Sequence, residues 1–325
     1  MELVTLADIR TAAGRIAGHA VRTPLLPLRG TGTPAGVWLK PECLQPVGSF
    51  KIRGAVNAVA ALSVEGRARG VVGSSSGNHA QALAYAAAQH EVPAVIVMPD
   101  TSPAGKVAAT DALGAEVVIV PPAERDTRAA ELAVERGLAL VPPFDHPEVI
   151  AGQGTVGLEI TADMPEVRTV LVPASGGGLV SGVATAVKAL APRARVVAVE
   201  PELAADLAES FARGERVAWD TERTYRTIAD GLRTPAVGVL PWAHIRERVD
   251  AVLTVGEDTI RAAMRMLATR ARLVAEPSGA VALAALLEHP GVVEDGPTVV
   301  VVSGGNVEPA LLADVLAAPA AVVRG

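Results

Sequence analysis

The chain has little cysteine, few aromatic side chains and no excess of positive charge. Its one cysteine, Cys43, excludes an internal disulfide framework and a cysteine-rich zinc site, and suits a reducing compartment. Lys and Arg number 29 against 35 Asp and Glu, so the basic footprint of a nucleic-acid binder is missing and the chemistry should concern small molecules. No uninterrupted apolar run reaches the roughly 18 residues of a membrane span, and no Arg/Lys-flanked signal segment opens the sequence. A soluble cytoplasmic protein is the expectation. Only three Phe, three Trp and two Tyr occur; beside the abundant Ala, Val, Gly and Arg, this reads as coding bias of a GC-rich genome, and no repeat of fixed period is found. The GxxxxGK[ST] phosphate loop of nucleoside triphosphatases is also absent.

What the sequence does contain is a regular alternation. Short β-branched runs precede longer helical patterns: Val71-Val72 before Ala80 to His90, Ala94 to Met98 before Ala104 to Leu113, and Glu116 to Val120 before Glu124 to Arg136. The same rhythm returns with Thr169 to Val172 before Leu179 to Leu190, Val196 to Val199 before Ala205 to Arg213, and Thr298 to Val302 before Val307 to Leu316. It predicts an α/β fold with open parallel sheets covered by helices on both faces. Ligands in such folds lie beyond the carboxyl ends of the strands, so the loops after Val72, Val172 and Val302 are the first candidates. The proline-dense crossing Val141-Pro142-Pro143-Phe144-Asp145-His146-Pro147 marks a break. Residues 60–146 are read as a small inserted domain, and 1–59 with 147–325 as a large discontinuous one.

Three stretches carry chemistry. Pro173-Ala174-Ser175-Gly176-Gly177-Gly178-Leu179 stands between a strand and a helix, where consecutive glycines can fold N–H groups into an anion nest; a plain turn is the alternative. Gly152-Gln153-Gly154-Thr155-Val156-Gly157 formally matches GxGxxG. It follows a poor strand, though, and the next strand ends with no acidic residue for a ribose, which argues against dinucleotide binding. In Gly48-Ser49-Phe50-Lys51-Ile52-Arg53-Gly54-Ala55 the lysine is either ordinary snorkelling surface or an amine whose pKa falls in an apolar pocket, ready to form a Schiff base. A lysine together with a phosphate nest suggests pyridoxal phosphate.

GSFKIRGA, SSSGNHAQ, AGQGT, SGGGL and SGGN, in this order, resemble the fold-type II pyridoxal-phosphate enzymes, specifically the serine/threonine dehydratase and serine racemase family, from about Leu6 to the C-terminus. The resemblance implies two parallel-sheet domains with the active site between them, and β-elimination from a β-hydroxy amino acid such as L-threonine or L-serine to a 2-oxo acid and ammonia. Serine racemase or threo-3-hydroxyaspartate dehydratase is the alternative. It makes Lys51 the Schiff-base lysine and proton acceptor. Ser175, Gly176, Gly177, Gly178 and Leu179 become the phosphate loop, with Asn78 the partner of the cofactor's ring oxygen, Phe50 near the ring, Glu276 at its edge and Ser303 facing the pyridine nitrogen. A neutral hydroxyl there makes a weaker electron sink than a carboxylate partner would, which suits β-elimination.

The substrate carboxylate is expected on Ser75, Ser76, Gly77, Asn78 and His79, at a helix N-terminus; for His79 the alternative is a helix-start histidine that orients the loop. Asp230 and Thr234 match pocket positions. Arg125 matches a racemase pocket arginine, with a solvated charge as the alternative. Ser76, where many biosynthetic threonine dehydratases carry alanine, offers a hydroxyl opposite Lys51 and keeps racemisation open. Glu200, the carbonyl of Ala204 and Asp206 match the divalent-cation positions of the racemase-like branch, with Mg2+ expected. A homodimer is the assembly implied. Val47 departs from the family's usual threonine near the nucleotide effector site, which argues against activation by ATP. The end at Gly325 leaves no room for a C-terminal regulatory domain, so a catabolic or specialised dehydratase is expected.

Overall fold

The computed structural model describes residues 2–30, 36–293 and 296–318. Its strands are β1 (Leu26–Pro27), β2 (Val37–Pro41), β3 (Val71–Ser74), β4 (Ala94–Pro99), β5 (Glu116–Val120), β6 (Ala139–Leu140), β7 (Thr169–Pro173), β8 (Arg195–Pro201), β9 (Ala251–Val255) and β10 (Thr298–Val302). They form a six-stranded sheet in the order β1-β2-β10-β7-β8-β9 and a four-stranded sheet in the order β5-β4-β3-β6. Every pairing is parallel except β1 with β2, as the βα alternation predicts.

The larger sheet is buried on both faces, which is why β7, β8 and β10 read as nearly unbroken Val-rich runs. Successive side chains point to opposite sides. Leu171, Val197, Val199, Val300 and Val302 pack into one layer with helix Pro277–Glu288. Val170, Val172, Val196, Ala198, Val299 and Val301 pack into the other with helices Pro147–Asp163 and Gly178–Leu190. The smaller sheet shares a third cluster with helix Lys51–Ala61, whose Ile52, Ala55, Val56 and Val59 are buried with Val71, Leu83 and Ile96. That helix therefore links the two sheets.

Strands β2, β6 and β9 and the helix Pro147–Asp163 go beyond the sequence reading. β6 has only two residues, and β2 carries a buried lysine, Lys40, so neither has a clean β signature. The GxGxxG stretch lies in the middle of the helix, where glycine costs about 1 kcal/mol against alanine. Packing requires it there: a Cβ at Gly152 would lie 2.5 Å from the Arg53 carbonyl oxygen, and one at Gly157 would lie 2.7 Å from that of Val183. Among the described residues, no helix is long and apolar enough to cross a membrane.

Candidate active site

The segment before Lys51 is clipped to the loop after β10. The Phe50 N–H donates to the Ser303 carbonyl at 3.0 Å, the Gly305 N–H donates to the Gly48 carbonyl at 2.8 Å, and the Asn306 amide donates to the Val47 carbonyl at 2.9 Å. Gly48 has φ +71°, and a Cβ there would lie 2.3 Å from Asn306 Oδ1, so both its conformation and the close approach require glycine. Below the first turn of the helix, Arg53 is fully buried and holds Glu42 at 2.7 Å and Glu159 at 2.6 Å, while Lys40 holds Glu159 at 2.5 Å. Two cations and two carboxylates cancel there. Losing one partner of such a pair typically costs about 3–5 kcal/mol, so the network fixes the helix that starts at Lys51.

Lys51 Nζ donates to the Pro143 carbonyl at 2.7 Å and lies 5.2 Å from the centre of the Phe50 ring. Burial pulls its pKa down from the ordinary lysine value to about 8. The neighbouring His79 is held neutral: burial first, and then the Lys51 charge, lower its pKa to about 3. Its Nε2 meets the Val141 carbonyl at 2.9 Å. A carbonyl can only accept, so Nε2 carries the proton.

The Ser75–His79 turn joins β3 to helix Asn78–Gln89. Asn78 donates to Glu276 Oε1 at 2.5 Å and accepts from Asn306 Nδ2 at 2.8 Å, so partners on the larger sheet's side fix the orientation of its amide. Burial, and then the Asp230 charge, raise the Glu276 pKa to about 7. Ser75 Oγ accepts from the Gly77 N–H. Ser303 is buried at the end of β10, and its hydroxyl reaches toward the Ser278 carbonyl at 3.4 Å.

The Ser175–Leu179 turn is buried throughout and starts helix Gly178–Leu190 without any side-chain cap. Uncapped N–H groups at a buried helix start form a cradle for an anion. Gly177 has φ +88°, and a Cβ at Gly176 would lie 2.3 Å from the Phe144 ring. The Gly176 carbonyl accepts from the Gly238 N–H, and Ser175 Oγ accepts from the Thr234 N–H.

The structure thus brings Phe50, Lys51, Asn78, His79, Glu276 and Ser303 into one connected group, with Asp230 tied in through Lys106 at 2.7 Å. Arg125 is turned elsewhere: its guanidinium pairs in two-pronged fashion with Asp126, which accepts from Ser74. Glu200 and Asp206 lie apart from that group, one near the end of β8 and the other at the start of helix Asp206–Arg213. Both are fully buried, and Glu200 Oε1 and both Asp206 oxygens lack a hydrogen-bond partner. Burial raises both pKa values, that of Asp206 to about 7, and the Asp206 charge raises Glu200 further. Among the described residues, no three His, Cys, Asp or Glu cluster as metal ligands; Ala204 could add only a carbonyl.

Sequence reasoning missed Lys106, Asn306, Phe144 and the Pro143 carbonyl. Their signals were faint: a lone charge in Ala104-Gly105-Lys106-Val107-Ala108, the last letter of SGGN, and one of three phenylalanines, set in a proline-dense crossing.

Residues 16–304 match the family model described as pyridoxal-phosphate dependent enzyme. The chain is 41% identical to the L-threo-3-hydroxyaspartate ammonia-lyase of Saccharomyces cerevisiae, covering 95% of both chains. It is also 41% identical to a serine racemase of Oryza sativa, covering 93% of this chain and 90% of the relative. The crystal structure of a T.th. threonine deaminase superposes with a TM-score of 0.88 at 44% identity, covering 94% of this chain and 99% of the other. With its paired parallel sheets, its lysine of lowered basicity and its uncapped glycine cradle, the chain belongs to the pyridoxal-phosphate dependent enzyme family.

Proposed function

We propose that this protein is an ammonia-lyase that removes water from a β-hydroxy amino acid such as L-serine or L-threonine and releases a 2-oxo acid and ammonia. The observation that carries the reading is the arrangement around Lys51, a half-buried amine with pKa about 8 that is joined through the loop after β10 to Ser303, Glu276 and Asn78. The names of the relatives, a hydroxyaspartate ammonia-lyase and a threonine deaminase, agree with it.

The residues present fit pyridoxal phosphate: the uncapped glycine turn suits its phosphate and Lys51 its aldehyde. When bound, the cofactor supplies an aldehyde for Schiff-base chemistry and a ring that accepts electrons from the Cα–H bond. Ser175 to Leu179 would hold the phosphate through backbone N–H groups, and Phe50 would pack near the ring. Asn78 would meet the ring oxygen, Glu276 the ring edge and Ser303 the ring nitrogen. The N–H groups and hydroxyls of Ser75 to His79 would orient the substrate carboxylate, with Asp230 and Thr234 beside it, while Arg125 stays paired with Asp126. Lys51, as free amine, takes the proton from Cα. The Cβ–O bond breaks with the oxygen leaving as water, and hydrolysis of the released enamine gives the 2-oxo acid and ammonia.

Residues 60–146 form, in this reading, the smaller unit that closes on the larger one, 1–59 with 147–325. The buried, unpartnered oxygens of Glu200 and Asp206, with the Ala204 carbonyl, suit a hard cation such as Mg2+. A homodimer in the cytoplasm completes the proposal, and the one free cysteine, Cys43, agrees with a reducing setting.

The test is a panel of L-serine, L-threonine and L-threo-3-hydroxyaspartate, scored for 2-oxo acid. Product from none of them, or D-serine without pyruvate, overturns the lyase reading. Racemisation is the second reading, favoured by Ser76 in the half-buried substrate turn. An unchanged ratio of D-serine to pyruvate in Ser76→Ala removes Ser76 from it.

A further inference from the structure

Lys106 is buried, yet the mechanism above gives it no task. It sits in helix Ala104–Asp111 on the smaller sheet's side and donates to Asp230 Oδ2 at 2.7 Å. A Cβ added at Gly77 would lie 3.6 Å from its ammonium, so the charge stands against the turn assigned to the substrate. The two partners are unequally held: the Lys106 side chain is 11% exposed and that of Asp230 is 41% exposed. The ammonium cannot leave without desolvated charge being stranded, whereas the carboxylate can swing into water at little cost. A fixed cation with an exchangeable anion is an anion site, with Asp230 as its resident.

Other cations near the turn are committed. Arg125 is paired with Asp126, Lys51 donates to the Pro143 carbonyl, and His79 is neutral. In the proposed function the backbone N–H groups of the turn are given to the substrate's α-carboxylate. A second positive point beside the first anion site is what an amino acid with a carboxylate in its side chain requires.

We infer that Lys106 is a specificity-determining residue whose ammonium exchanges Asp230 for the side-chain carboxylate of a 2-amino-3-hydroxydicarboxylic acid. For a neutral side chain the Lys106–Asp230 pair stays closed on itself. The inference rests on the lyase reading for its site and adds the charge of the substrate.

The test compares kcat/KM for L-threo-3-hydroxyaspartate with that for L-serine in the holoenzyme and in three variants. Lys106→Met should lower the ratio by at least about tenfold, and Lys106→Arg should keep it within about threefold, because the charge remains. Asp230→Asn, which removes the resident anion, should raise the ratio. Equal losses on both substrates, or a ratio that Lys106→Met leaves unchanged, overturn the inference.

A second readout does not depend on turnover. Succinate, which cannot be deaminated, should raise the melting temperature of the wild type and not that of Lys106→Met; equal rises in the two proteins also overturn the inference. If succinate binds through Lys106 while no amino acid yields a 2-oxo acid, the lyase reading falls and the anion site stands. If 2-oxo acid forms but the ratio ignores Lys106, the reverse holds.

Discussion

The two glycine-bearing turns at the site are built on opposite plans. The Ser175–Leu179 turn is wholly buried, uncapped and packed glycine against side chain; it offers backbone N–H groups and little else. The Ser75–His79 turn is half-buried, and side chains wire it to the rest of the molecule: Asn78 to Glu276 and Asn306, and His79 to the Val141 carbonyl. The first suits a ligand that stays, because a rigid nest of dipoles needs no reorganisation once filled. The second suits a ligand that comes and goes, because side-chain contacts rather than backbone packing hold its donors.

The largest test of this contrast leaves both turns intact and removes what lies between them. Lys51→Ala should lower turnover by at least about 10³-fold and abolish the visible absorbance of the Schiff base. Pyridoxal phosphate should still be retained, weakly, by the buried turn; complete loss of retention would show that the cradle does not hold it alone. The wild-type lysine adds a pH signature. Its pKa is depressed, so below about 8 the amine is mostly protonated and non-nucleophilic. Capture of added pyridoxal phosphate by cofactor-free protein should therefore speed up about tenfold per pH unit until roughly pH 8 and then level off. A plateau reached only near pH 10 would contradict the desolvated pocket.

Much of this was legible in the sequence, for physical reasons that differ by region. The βα rhythm declared itself because strands buried on both faces must be continuously apolar, as Val299 to Val302 are. The Ser175 turn was legible because packing that leaves no room for a Cβ requires consecutive glycines. Lys106 and Asn306 were not, since each acts through a partner more than a hundred residues away, and no local pattern marks such a pair. The helix Pro147–Asp163 hid for the opposite reason: its glycines, placed there so that helices can touch, imitate a nucleotide loop.

Gly176→Ala tests the buried plan next. Its Cβ would fall 2.3 Å from the Phe144 ring, an overpacking that costs about 1–3 kcal/mol, so affinity for pyridoxal phosphate and the melting temperature should fall together. Unchanged affinity would mean that the turn tolerates side chains and is no rigid cradle.

Asn306→Ala tests the wired plan and should do less. Asn78 keeps Glu276 but loses the donor that fixes its amide, a loss of about 0.5–1.5 kcal/mol. The expected result is a several-fold rise in KM and a shifted cofactor band, with pyridoxal-phosphate affinity nearly kept. Asn78→Ala combined with Asn306→Ala should cost less than the two single changes summed, the excess over Asn78→Ala reflecting the lost bond to the Val47 carbonyl. Full additivity would separate the two residues.

The smallest effect should come from the Glu200–Asp206 pair at the end of β8, which flanks the cradle: the Ala174 N–H donates to the Val199 carbonyl, one residue before Glu200. The carboxyls of Glu200 and Asp206 titrate above the ordinary range because burial disfavours their charge. A raised value means that the folded chain holds protons the unfolded chain has lost. Their contribution to stability is therefore complete below the ordinary carboxylate pKa and is lost as pH rises through about 7. The metal-free protein should melt lower at pH 8 than at pH 5.5. Mg2+ should restore the difference at pH 8, by about 2–8 °C, and do little at pH 5.5. Glu200→Gln should raise the metal-free melting temperature at pH 8 and abolish the response to Mg2+, because one buried charge is gone and with it one ligand. If Mg2+, Ca2+ and Mn2+ all leave the wild type unmoved at pH 8, the pair binds no cation. The cradle beside it would then be rigid by packing alone.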